Sequence, residues 1–272
     1  MKNKYLLLFF FGFFISFKSL ALKPKKEYIL TPDSVGLKYK ELQIATPDKY
    51  MLNTWVMCPE KKVDNKTVMI VAYGDALNMS YWVEQCLYFV KAGFTVITFD
   101  YRGFGHSSTF AMDSNQLYYE EFAADLESVV GYAKKEFSGY KVGVRALSMG
   151  TAITTIVCGR THIDYFVGDS FICDPIAVQA SLQAMTNRIF TVPASAKDYK
   201  DALNKLDVPM LVFAGTKDGN TPLSDSKQMV EGHLKRKLIT YDGEHLEGIF
   251  VLSESSFGDL YIADIVDFLK GI

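Results

Sequence analysis

The chain reads as an α/β protein: a mostly parallel sheet with helices on both faces, an N-terminal antiparallel hairpin and a short cap. Three observations predict it. Short, continuous apolar runs bounded by glycine, such as Val68–Tyr73 and Thr95–Phe99, suit strands buried on both faces. Between them lie stretches with apolar residues at three-to-four spacing, the pattern of amphipathic helices. Their regular alternation implies repeated strand–helix units, whose strands pair in parallel.

Taken in order, residues 1–21 read as a targeting segment. Lys2 and Lys4 precede an apolar run, Tyr5–Phe17, and Ser19-Leu20-Ala21 then places small residues where a signal peptidase reads. The run is too short for a membrane span, which needs roughly 20 residues. Cleavage after Ala21 is the expectation, with secretion or a periplasmic location; an uncleaved anchor is the alternative. Polar residues 23–34 read as a leader. Leu37–Ala45 and Met51–Cys58, parted by Thr46-Pro47-Asp48-Lys49, read as a hairpin. Then come a helix over Ser80–Lys91, strand Thr95–Phe99, a long helix over 116–137, strand Val142–Leu147, helix Thr151–Gly159 and a short strand Tyr165–Val167. Strand Met210–Ala214, a helix near Leu223–Leu234, strand Leu238–Tyr241 and a last helix Phe257–Leu269 complete the domain, residues 22–272. The cap falls at about residues 171–207, with Ile176, Ala180, Leu182, Met185 and Phe190 available to line an acyl pocket.

Charge excludes some partners. The net charge is −2, and loss of Lys2, Lys4 and Lys18 leaves the remainder near −5. No basic run follows residue 26, so nucleic acid and anionic lipid are poor partners. The four cysteines, Cys58, Cys86, Cys158 and Cys173, lack zinc-type spacing and read as small buried hydrophobes. Cys158 lies ten residues along the helix after Ser148, about 15 Å below the edge that carries the serine, and Cys173 near that edge itself, so these two are not expected to pair.

In such sheets ligands bind beyond the carboxyl ends of the strands. Ala146-Leu147-Ser148-Met149-Gly150 stands between a strand and a helix at that edge. A sharp turn there lifts the serine hydroxyl clear and leaves the next N–H free to stabilise an oxyanion. The small residues at 146 and 150 are expected to pack against each other. An ordinary helix N-cap is the plainer reading of Ser148. Asp218 follows one buried strand and His245 the last, giving the order Ser, Asp, His. His162 falls at the opposite edge, His233 within a helix, and His106 in a glycine-rich loop suited to a site wall. Asp174 also follows a strand and precedes His245, so order alone does not choose between it and Asp218. Tyr101-Arg102-Gly103-Phe104-Gly105 lacks the Lys-Ser or Lys-Thr of a phosphate loop. Asp100 and Asp125 read as structural hydrogen-bonding groups, and Arg145, in a buried strand, needs a partner that the sequence does not name.

Over about residues 65–270 the chain resembles the α/β-hydrolase superfamily, in its serine-peptidase-like and monoacylglycerol-lipase-like branch. Val71-Ala72-Tyr73-Gly74-Asp75-Ala76, Phe99-Asp100-Tyr101-Arg102-Gly103-Phe104-Gly105-His106-Ser107, the Ser148 elbow and the Asp218 and His245 loops carry the resemblance. It implies an oxyanion hole from the backbone N–H groups of Asp75 and Met149. The chain departs from the family at Tyr73, usually His, and at Ala146 and Thr151, usually Gly. A carboxylate at Asp75 would oppose a developing oxyanion, so its side chain is expected to turn away.

These readings converge on a serine hydrolase acting through an acyl-enzyme on a small-molecule carboxylic ester or thioester. Ser148 is the nucleophile, His245 the base and acid, and Asp218 the orienting acid, with no metal or other cofactor required. Acyl transfer on the same three residues and a non-catalytic protein of this fold are the alternatives.

Overall fold

The computed structural model describes residues 21–186 and 190–272. Its centre is an eight-stranded sheet, built from β2 (Lys40–Ala45), β3 (Met51–Met57), β4 (Thr67–Ala72), β6 (Thr95–Phe99), β7 (Lys141–Leu147), β8 (Tyr165–Asp169), β9 (Met210–Gly215) and β10 (Arg236–Tyr241). The strand order is β10-β9-β8-β7-β4-β6-β3-β2, parallel except where β3 pairs with β2 and β6. Every residue of β4, β6, β8 and β9 is buried, which explains why these strands lack the apolar–polar alternation of a one-sided sheet. The expected α/β class and N-terminal hairpin are both present.

Helices α1 (Val83–Lys91), α2 (Tyr119–Glu136), α3 (Met149–Cys158), α6 (Leu223–Val230) and α8 (Asp259–Lys270) alternate with the strands, and the single turn α7 (Gly248–Val251) precedes the last. Between β8 and β9 stand α4 (Pro175–Thr186) and α5 (Tyr199–Lys205), in the region read as a cap. Chain order reverses at β4: β6 is laid on one side and β7 on the other. A crevice therefore opens beyond the carboxyl ends of β4 and β7, where the two neighbouring connections diverge.

Three expectations need correction. Residues 23–34 are more than a leader, because β1 (Lys23–Pro24) pairs in parallel with β5 (Ala76–Leu77), in the loop after β4. Two-residue strands carry no periodicity, so the pairing is a tertiary event. Strand β8 runs two residues past Val167: pairing on both flanks holds Gly168 and Asp169 extended despite their poor strand propensity. Helix α6 ends at Val230, leaving His233 in a turn and Leu234 fully exposed. The targeting run lies outside the described residues except for Ala21, which is buried and donates its N–H to the Ser114 carbonyl.

Candidate active site

The turn between β7 and α3 puts Ser148 at φ 51° and ψ −118°, a conformation few residues other than glycine adopt. The close approach that the turn demands is made by Gly150. A Cβ there would lie 2.0 Å from the Ala72 carbonyl oxygen, so α3 starts pressed against β4. The small residue is required by the neighbouring strand, not by packing of residues 146 and 150 on each other. Thr151, where the family usually has glycine, closes the turn. Its N–H and hydroxyl both donate to the Ser148 carbonyl, at 2.8 and 2.7 Å, and its hydroxyl accepts from the Ile172 N–H at 2.9 Å.

Three sequence-predicted residues meet here. His245 Nε2 is 2.9 Å from Ser148 Oγ, and its Nδ1 is 2.9 and 3.1 Å from the two Asp218 carboxylate oxygens. The Asp218 carboxylate also accepts from the N–H groups of Asn220 and Thr221 at 2.9 Å and from the Thr221 hydroxyl at 2.6 Å. Burial alone would raise this carboxyl, but the bonds from His245 and Thr221 hold it well below the usual carboxylate range. Its side chain is sealed from solvent while that of His245 remains partly open, so the pair is rigid on the acid side and accessible on the serine side. Asp174 does not join them. It caps α4 by accepting from the Ile176 and Ala177 N–H groups at 3.0 Å, and it faces Lys200 at 3.4 Å.

The N–H of Met149 opens α3, and that of Asp75 belongs to the loop crossing the elbow, where a Cβ on Gly74 would touch Ser148 Cβ at 3.6 Å. Among the described residues neither N–H donates to another residue. The loop is braced from below. Tyr73 donates to Asp100 Oδ1 at 3.1 Å, which also accepts the Met79 N–H at 2.9 Å, and Tyr28 donates to Asp100 Oδ2. It is braced from outside by β1: Lys23 N–H donates to the Asp75 carbonyl at 2.8 Å, and Asn78 Nδ2 donates to the carbonyls of Lys25 and Glu27. The structural reading of Asp100 and Asp125 fits these bonds and those of Asp125, which is fully buried against Arg102 at 2.7 Å. The Asp75 carboxyl is raised by burial against the charges of Lys23 and His245, and the Tyr119 hydroxyl is raised by burial and then by the Asp75 charge. Asp75 and Tyr119 both line the cavity beside Ser148.

Beneath the histidine loop lies a group that the sequence reading missed. Asp169 is buried at the end of β8, accepts from Tyr241 at 3.2 Å, and is pushed by burial up to about 6 against the pull of Arg145. Arg145 finds its partners in Gln85 at 2.9 Å and Tyr261 at 3.3 Å, between the rings of Phe89 and Tyr261. The only available signal was polar residues ending a buried strand. The remaining histidines stand apart: His106 stacks on Tyr28 at 3.9 Å and His162 faces Asp164 at 3.4 Å.

A cavity of about 180 Å³ opens on Ser148, Met149 and His245, walled mainly by apolar Leu117, Ile172, Val178, Leu182 and Phe190, with Ala21 at one side. A larger groove of about 630 Å³, lined by Asp174, Lys200 and His233, lies behind α4 and touches none of the three. Among the described residues no cluster suited to a metal ion is found, and no helix is long and apolar enough to cross a membrane.

Residues 64–173 match the family model described as "Serine aminopeptidase, S33". A stretch of 92 residues, 34% of this chain, is 40% identical to a Synechocystis protein named as a candidate non-heme chloroperoxidase. It spans only 31% of that protein, about a third of its length. Over 76% of this chain and 71% of the other, identity to the Escherichia coli protein YfhR is 24%. Among solved structures, the Pyrococcus furiosus esterase Pf2001 superposes with a TM-score of 0.74 at 18% identity, covering 93% of this chain and 98% of that one. XC6422 of Xanthomonas campestris, described as a serine hydrolase without a lid, superposes at 0.57 with 16% identity over 76% and 86%.

Proposed function

We propose that this chain, which belongs to the α/β-hydrolase superfamily, hydrolyses a small carboxylic ester or thioester through an acyl-enzyme on Ser148. The observation that carries the reading is the unbroken hydrogen-bonded line from Asp218 through His245 to the Ser148 hydroxyl. In this reading His245 takes the serine proton as Oγ attacks the carbonyl carbon, and Asp218 stabilises the imidazolium that forms. The oxyanion faces the N–H groups of Asp75 and Met149. His245 then returns the proton to the departing alcohol or thiol, and water repeats the sequence to release the acid. A cavity of about 180 Å³ favours a short acyl group, since a site of roughly 150 Å³ holds one benzene.

Labelling with a fluorophosphonate, followed by a panel of esters of increasing chain length, tests it. Modification of Ser148 and turnover that falls beyond medium-length chains are expected. An unlabelled, inert protein overturns the reading in favour of a non-catalytic one.

Export with cleavage after Ala21 belongs to the same proposal. The residue so removed lines the cavity, so cleaved and intact chains present different walls. N-terminal sequencing of protein recovered outside the cytoplasm should begin at Leu22; an intact Met1 overturns the cleavage.

A further inference from the structure

The cavity beside Ser148 is apolar along most of its wall, yet two polar groups stand in it without partners. Tyr119 is only 2% exposed, and among the described residues its hydroxyl makes no hydrogen bond. That hydroxyl is not sealed in by protein atoms, and the space it opens on is the cavity. Asp75 lines the same space, and among the described residues its carboxyl accepts from no other residue. Both residues line this one cavity, and the Asp75 charge acts on the Tyr119 hydroxyl. Water can meet both groups while the cavity is empty, but a plain alkyl chain filling it would strip that water away and leave both without partners.

Resting on the hydrolase reading above, we propose that the acyl group this site accepts bears a hydroxyl near its carbonyl carbon, held between the Asp75 carboxyl and the Tyr119 hydroxyl. Position follows from the loop: Asp75 comes directly after Gly74, which packs over Ser148 Cβ. Its side chain therefore reaches only the first two or three carbons of the acyl group. Valence follows from the partners: a carboxyl accepts, and a phenol both accepts and donates, which a hydroxyl answers with one donor and one acceptor. Charge follows from the surroundings. The Lys23 charge already acts on Asp75, so a neutral donor fits better than an ammonium, and an acyl chain ending in a carboxylate is repelled. The apolar wall of Leu117, Ile172 and Val178 receives the rest of a short chain.

The test compares 4-nitrophenyl esters of butyric, 3-hydroxybutyric and 3-aminobutyric acid on the full chain, Asp75→Asn and Tyr119→Phe, with near-ultraviolet circular dichroism confirming each fold. The 3-hydroxybutyryl ester should exceed the butyryl ester in kcat/KM by about tenfold or more in the wild type. In both variants the ratio should fall to within about threefold of one, each change removing roughly one hydrogen bond. Equal kcat/KM for the two esters, a preference for the aminoacyl ester, or a ratio untouched by Tyr119→Phe overturns the inference, while fluorophosphonate labelling of Ser148 leaves the hydrolase reading standing. No turnover of any ester together with no labelling overturns both.

Discussion

Each residue of the Ser148, His245 and Asp218 line has a different reason for its position, and each reason yields a measurement. Ser148 holds a backbone conformation that costs of order 1–3 kcal/mol, maintained by the bonds of Thr151 and the pressure of α3 on β4. Ser148→Ala keeps that backbone and removes only the hydroxyl, so folding should survive while turnover falls about 10³-fold or more and labelling ceases. Ser107 will not substitute, because its hydroxyl already donates to the Asp100 carbonyl and accepts from Asn53. For the acid, Asp218→Asn should cost about 10⁴-fold by favouring the wrong imidazole tautomer. Asp174→Asn should stay within about tenfold and keep its stability, since Asn caps a helix as well as Asp does. The reverse ranking on one ester would move the acid to Asp174. Asp169 gives the pH prediction. Its carboxyl is raised to about 6 in the folded protein, from an ordinary 3.8. Its contribution to stability is therefore complete below about 3.8 and is lost as pH rises through 6. Asp169→Asn does not titrate, so denaturant unfolding from pH 4 to 7 should move the stability difference against the wild type by up to about 3 kcal/mol. Parallel curves would remove that assignment.

At the scale of elements, the site is where α3 meets β4 and where β1 meets the loop after β4. Gly150→Ala places a methyl 2.0 Å from a main-chain oxygen that has no room to retreat, because β4 is paired on both sides. The helix must move, at a cost of about 1–3 kcal/mol or more. A lowered Tm together with loss of Ser148 labelling is expected; a variant that labels at the wild-type rate would show that the contact does not set the elbow. The second junction is held by Asn78, which bonds Lys25, Glu27 and Ser80 at once. Asn78→Ala strands the Glu27 carbonyl, leaves that of Lys25 with the Gly105 N–H alone, loosens the Asp75 loop and should lower kcat more than it raises KM, because an oxyanion donor acts chiefly in the transition state. These junctions were only half legible. The Ser148 pentapeptide announces its own turn, whereas nothing in Lys23-Pro24 or Ala76-Leu77 announces that the two dipeptides pair.

Across the whole molecule, burial decides how the cysteines behave. All four are free thiols in the structure, and burial pushes Cys86, Cys158 and Cys173 up to about 12. Only Cys58 is exposed. A maleimide should modify Cys58 alone in the native state, non-reduced peptide mapping should find no bridge between Cys158 and Cys173, and a reductant should leave Tm unchanged. The sequence by itself determined the fold class, the strand–helix alternation and the order Ser148, Asp218, His245, because each depends on apolar periodicity or on turn chemistry within a few residues. Tertiary structure alone decided that Asp218 and not Asp174 reaches His245, that Asp169 and Arg145 lie buried beneath the site, and that Ala21 and Tyr119 wall the cavity beside Asp75. Those outcomes depend on distances between segments far apart in the chain. Such distances are set by sheet order and by the close approach of α3 to β4, which no local pattern of residues encodes.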